Sequence, residues 1–138
     1  MPAFVLDSSV ALAWVLKGER TAQTEALLTQ ATEHGAYVPG LWPMEVANVL
    51  MTYERKSILS AADREQAIAK FNRLPITTDD ETAMRVWNTT FDLALAHKLT
   101  IYDAGYLELA QRKSLPLATL DKALARAAKT SGVTVMGG

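Results

Sequence analysis

The sequence predicts a three-layer α/β/α fold, a mainly parallel central sheet flanked by helices on both faces. Two patterns carry that expectation. Short apolar runs of strand length alternate with longer segments of helical periodicity, and several of the runs end at a residue suited to start a helix. That alternation is the signature of strands joined by helical crossovers, which cover both faces of a sheet. Size supplies the third observation. At 138 residues, 49% hydrophobic and 21% charged, the chain reads as a single domain over 1–138. Such a domain buries enough surface to fold without a disulfide or structural metal.

Taken in order, residues 3–6 form a first apolar run ending at Asp7. Ser8 and Ser9 can cap a helix over 10–16, which Lys17 and Gly18 close. A second helix is expected over 21–33, stopped by Gly35, and 37–39 reads as a brief strand. Pro43 suits a first helical position, where its missing N–H costs nothing; the helix after it carries Val46, Val49, Leu50 and Tyr53 on one face. A fourth helix starts at Ser60, with Asp63 in capping-box spacing. Thr78 and Glu81 repeat that spacing before a long helix with Met84, Trp87, Phe91 and Leu95 on one stripe. Residues 99–102 read as a strand, 103–113 as a helix, 115–118 as a strand and 121–129 as a helix. A last strand is expected over 133–136, after Gly132. Repeats, low-complexity tracts and linkers are absent.

Composition narrows the chemistry. The absence of cysteine excludes disulfides, thiolate zinc sites and cysteine nucleophiles. No run approaches the ~20 apolar residues of a membrane span, and the N-terminus lacks the basic region of a signal peptide, so a cytoplasmic protein is expected. A net charge of −1 and a pI near 6.1 give no overall electrostatic footprint for nucleic acid. Any contact with RNA would depend on a local patch, or on cations covering acidic residues.

Four acids stand out. Asp7, Asp103 and Asp121 each lie at or just after the end of an expected strand, where a helix begins. Strand carboxyl ends gather along one edge of a parallel sheet, where such folds bind ligands. Glu45, one turn into its helix, can reach the same edge. All four could instead be simple helix starts, since Asp is a favoured N-cap and Glu suits the first turn. Capping and ligation are compatible, because those helix N-termini meet at the same edge. If the acids converge, like charges raise one another's pKa or attract a counterion. An all-oxygen set suits Mg²⁺ or Mn²⁺ over Zn²⁺, and such ions organise phosphoryl displacement. Asp63, Asp79, Asp80 and Glu81 look like ordinary helix starts with no strand leading clearly into them.

The residues around the four acids carry a resemblance. Phe4-Val5-Leu6-Asp7-Ser8-Ser9-Val10, Pro43-Met44-Glu45-Val46-Ala47-Asn48-Val49-Leu50, Leu99-Thr100-Ile101-Tyr102-Asp103-Ala104-Gly105-Tyr106 and Leu117-Ala118-Thr119-Leu120-Asp121-Lys122-Ala123-Leu124 resemble, in order, the signature blocks of PIN-domain ribonucleases, above all the VapC-type toxins of toxin–antitoxin pairs. The resemblance covers essentially the whole chain. It implies a PIN-like fold and an endoribonuclease that hydrolyses RNA phosphodiester bonds with metal-activated water. Asp7, Glu45, Asp103 and Asp121 would be its catalytic and metal-holding residues, for one or two Mg²⁺ or Mn²⁺ ions. The products would be a 5′-phosphate and a 3′-hydroxyl. It further implies that Thr119 supports the site from behind, that the chain forms a homodimer, and that a small VapB-like protein antitoxin covers the groove.

Other residues carry weaker signals. His34 and His97 are expected at helix ends, where a cation is favoured. Lys17, Arg20, Lys122 and Arg126 lie near the expected edge and could touch phosphate or simply be solvated. Trp14, Trp42 and Trp87 are expected in the core or a dimer interface. Two alternatives remain: a Mg²⁺-dependent phosphatase or phospho-acceptor domain, and a catalytically silent PIN-like binding module. The first would need a second acid close to Asp7 or a lysine after a later strand, and Ser8-Ser9-Val10 and Gly137-Gly138 offer neither. Four retained acids argue against the second.

Overall fold

A computed structural model describes residues 3–137 of the protein. Its core is a sheet of five strands: β1 (Phe4–Leu6), β2 (Ala36–Val38), β3 (Ile76–Thr78), β4 (Leu117–Ala118) and β5 (Val135–Met136), in the spatial order β3-β2-β1-β4-β5. Every neighbouring pair is parallel. β1 is the middle strand, and its three residues are fully buried, as a continuous Phe-Val-Leu run requires when both faces are covered.

Helices α1 (Ser8–Ala13), α2 (Ala22–His34), α3 (Trp42–Arg55), α4 (Ala61–Arg73), α5 (Thr82–Arg85), α6 (Phe91–His97), α7 (Ile101–Lys113) and α8 (Lys122–Thr130) form the flanking layers. Thr21 caps α2 reciprocally with Thr24, and Ser60 caps α4 by accepting from the Asp63 N–H. Pro43 falls in the first turn of α3. Residues 104–110 of α7 are buried on every side, which marks α7 as the central helix of its layer.

Two expectations fail, each for a local reason, and a third feature is placed by the fold. Residues 99–102 are not a strand. Lys98 turns the chain in the left-handed region (φ 55°), and Thr100 caps α7 by accepting from the Asp103 N–H at 3.1 Å. The cap spacing Thr100-x-x-Asp103 outweighs the strand propensity of the apolar run. Residues 76–78, by contrast, do form a strand, so the Thr78–Glu81 spacing is no capping box. Glu81 sits at the cap position of α5 without a side-chain cap, and the Asp79 carboxylate accepts from the Glu81 N–H instead. Finally, the stripe of Met84, Trp87, Phe91 and Leu95 faces solvent. A π-helical turn at Val86–Thr90 joins α5 to α6, and the inward face is made of the small residues Thr82, Thr90 and Ala94.

Candidate active site

The chain steps from β1 outward to β2 and β3 on one side, then returns to add β4 and β5 on the other. β1 and β4 therefore flank the topological switch point, where a crevice opens at the strand carboxyl ends. Leu6 pairs with Ala118 in register, so Asp7 and Thr119 leave the sheet side by side, with Asp121 two residues further on.

Two hydroxyls tie these strand exits together. Thr119 donates to Asp7 Oδ2 at 2.7 Å and accepts from the Asp121 N–H at 3.0 Å. Ser9 donates to the same oxygen at 2.6 Å and accepts from the Leu120 N–H at 3.0 Å. Asp7 stands at the cap position of α1, but both hydroxyl protons reach its carboxylate from beyond or across that cap. Asp121 does cap α8, accepting from the Leu124 N–H at 2.9 Å. Capping and a place in the site thus coexist.

Glu45 enters from the first turn of α3. Tyr106 donates its phenolic proton to Glu45 Oε1 at 2.7 Å. Burial, the Asp7 charge and the bond to Glu45 all raise the Tyr106 pKa, so this donor keeps its proton. Asp103 lies one turn before Tyr106 in α7. Gly105 lies close against the start of α3: an added Cβ would stand 3.0 Å from Cδ2 of Leu41, the residue just before that helix.

The electrostatics show convergence. Asp103 is raised from 3.8 to about 6, first by burial and then by the charges of Asp121, Asp7 and Glu45. Asp7 is also raised, by burial foremost and by Glu45, against the pull of its Ser9 and Thr119 bonds. The charges of Asp121, Asp7 and Glu45 all act on Asp103, and no lysine or arginine is among the leading influences on either raised group. That combination of oxygen donors and uncancelled charge fits a hard divalent cation.

A second group of acids provides the contrast. Asp79, Asp80 and Glu81 offer oxygens within 4.8 Å of one another. Here Arg112 grips Asp79 with two bonds (2.7 and 3.1 Å), grips Glu108 with two more (2.8 and 3.1 Å) and stands 3.6 Å from Glu81, which also pairs with Arg85. Burial pushes Asp79 up, but the Arg112 and Thr82 bonds and the Arg112 charge outweigh it and hold the carboxyl below its ordinary value. Asp79 and Glu81 are already engaged by the guanidiniums of Arg112 and Arg85, so their chemistry is that of a brace.

The remaining expectations sort cleanly. Trp14 and Trp42 are buried, whereas Trp87 is 83% exposed. His34 and His97 end α2 and α6, beside Glu33 and Ser131. Lys17 and Arg20 are not at the edge. They follow the far end of α1, paired with Asp63 and Glu25. Lys122 and Arg126 do lie by the site, on α8. Ser9, Tyr106 and Arg112 were not legible as functional residues. The one sequence signal for Tyr106 is its helical spacing from Asp103.

A sequence model of the PIN domain matches residues 4–130. Ribonuclease VapC3 of Pyrobaculum aerophilum is 31% identical over 121 residues, covering 88% of this chain and 91% of that protein. Ribonuclease VapC9 of Mycobacterium tuberculosis is 30% identical over 119 residues, covering 85% and 84%. Among solved structures, PAE2754 from Pyrobaculum aerophilum superposes with a TM-score of 0.70 at 21% identity, over 97% of this chain and 83% of that one. FitAcB from Neisseria gonorrhoeae gives 0.66 at 17% identity, over 97% and 96%. At those identities the structures speak for the fold.

Proposed function

This chain belongs to the PIN-domain family, in its VapC-type branch, and from that premise we propose that it is an endoribonuclease, the toxin of a toxin–antitoxin pair, acting at Asp7, Glu45, Asp103 and Asp121 with Mg²⁺ or Mn²⁺. The observation that carries the site is the clustered charge of the four carboxylates: Asp103 is raised by burial and then by Asp121, Asp7 and Glu45, and Asp7 by burial and then by Glu45. PIN nucleases work with a divalent metal ion. When bound, the ion supplies Lewis acidity and offsets charge on the scissile phosphate.

The chain's own residues do the positioning. Thr119 and Ser9 fix the Asp7 carboxylate against the β4–α8 turn, and Thr119 also holds the Asp121 backbone. Tyr106 pins one oxygen of Glu45. Such partners behind a metal-holding carboxylate set its orientation and affinity.

The partners are RNA, a small antitoxin and a second copy of the chain. Support for the second copy comes from Met84, Trp87, Phe91 and Leu95, 44–83% exposed along one helix face. Contiguous apolar surface of this kind marks a contact site. A Trp87→Lys variant is expected to halve the solution mass measured by light scattering; an unchanged mass would remove this stripe as the interface.

The decisive test of the site is cleavage. RNA hydrolysis should require Mg²⁺ or Mn²⁺ and stop in EDTA. Asp7→Asn or Asp103→Asn should lower it by ~100–1000-fold, the scale of losing transition-state charge stabilisation. Full activity in either variant, with its fold intact by circular dichroism, overturns the assignment.

A further inference from the structure

We propose that α8 presents a cationic rail, Lys122, Arg126 and Lys129, that binds the phosphates of the RNA strand flanking the bond cut beside Asp121. The inference rests on the ribonuclease reading and adds what that reading lacks, a place on an acidic protein for a polyanion.

The three cations recur at i, i+4 and i+7, within one narrow arc of the helix, while Leu124, Ala127 and Ala128 bury the opposite side. They extend over about 10 Å of helix. All three are exposed, and among the described residues none takes part in an ion pair or hydrogen bond. Among the other arginines, Arg20, Arg64, Arg85 and Arg112 each pair with a carboxylate, while Arg55 and Arg73 stand at the ends of α3 and α4 and form no such row. A row of unspent cations on a chain of net charge −1 is a local feature with a direction.

That direction is set by the fold. The rail starts next to Asp121, the residue that caps α8 and faces Asp103, and runs away from the four acids. A groove of about 480 Å³ lies along it, lined by Thr119, Asp121, Lys122, Arg126 and Lys129. The same groove therefore touches the carboxylate cluster at one end and three cations along its length. Leu120, 41% exposed at the head of the groove, adds an apolar contact for a base. The acids need a cation before they can accept a phosphate; the rail accepts neighbouring phosphates directly and positions the strand. Lysine and arginine contacts of this type carry sequence-independent affinity.

The test is binding of a short fluorescein-labelled oligouridylate, measured by anisotropy in Mg²⁺ across a salt series in an Asp7→Asn background. The rail variant is Lys122→Gln/Arg126→Gln/Lys129→Gln, and the control is Arg55→Gln/Lys56→Gln/Arg73→Gln, which removes the same charge at the ends of α3 and α4. The rail variant is expected to bind at least ~10-fold more weakly and to lower the slope of log K against log salt by about 2, at ~0.7 per phosphate contact. The control should stay within about twofold of the background. Equal losses in both variants, or none in the rail variant, overturn the rail and leave the ribonuclease reading standing. No oligouridylate binding at all in the background removes the premise itself. If RNA affinity is unchanged while poly-glutamate binding is lost, the rail serves an acidic protein partner and the proposal fails.

Discussion

Asp7 and Asp79 occupy equivalent places in the fold. Each is the first residue after a parallel strand, each is buried (4% and 7% exposed), and each accepts from a threonine hydroxyl, Thr119 at 2.7 Å and Thr82 at 2.9 Å. Their surroundings differ most in charge. Asp79 meets the guanidinium of Arg112, and Asp7 meets the carboxylates of Glu45 and Asp103. One carboxyl is held below its ordinary value and the other is pushed above it. A strand-end aspartate is therefore not a functional residue by position. Whether the protein supplies its counter-charge decides between a brace and a site left for an ion.

The comparison breaks most visibly at Arg112. Arg112→Met would strand Asp79 and Glu108, whose side chains are each 3% exposed, as buried charges without partners. Breaking such a pair from one side costs ~3–5 kcal/mol, or roughly 10–20 °C in melting temperature for a chain of this length. Asp79→Asn/Glu108→Gln/Arg112→Met should recover most of the loss, because no charge is then left unpaired. Because the folded value of Asp79 is depressed, its stabilisation holds above 3.8 and is lost as pH falls below that value. Calorimetry from pH 3 to 7 checks both statements, and a wild-type melting curve for Arg112→Met would end the brace interpretation.

Thr119→Val probes the other side without changing shape much. It removes the donor to Asp7 and the acceptor for the Asp121 N–H. A loss of ~10–100-fold in metal affinity or cleavage is expected, with metal titration as the readout. An unchanged affinity would mean that Ser9 alone orients Asp7.

The smallest effect is a gain. Asp103 titrates near 6 in the folded chain against 3.8 as a free side chain. Its ionised form therefore opposes folding: the cost is absent below 3.8, grows as pH rises to about 6, and is complete above. In metal-free protein, Asp103→Asn should melt roughly 3–6 °C higher than wild type at pH 7 and equally at pH 3. Asp79→Asn should move the other way at pH 7. If both variants lose stability, the two regions do not differ in the way their charges indicate.

Much of this was readable in advance. Asp7 and Asp121 follow apolar runs that are true strands, so their meeting at one edge follows from parallel pairing. Asp103 is singled out by its family block, while the strand expected before it is absent because Thr100 caps a helix there. β3 was hidden by its exposure: an edge strand with a half-buried Ile76 and exposed Thr77 and Thr78 has no apolar alternation to detect. The Arg112–Asp79 and Tyr106–Glu45 bonds are not legible because the partners lie 33 and 61 residues apart, although Glu108 and Arg112 have the i,i+4 spacing of a helical ion pair. The stripe on α5 and α6 is legible as a face, but periodicity locates a face without saying what covers it, and here it is exposed.

Helix α7 carries Asp103 and Tyr106 into the site and Glu108 and Arg112 into the brace, with residues 104–110 enclosed between them. Amide protons in so enclosed a segment are expected to be among the slowest of the chain to exchange. The proposed site and the brace thus share one enclosed rod of chain.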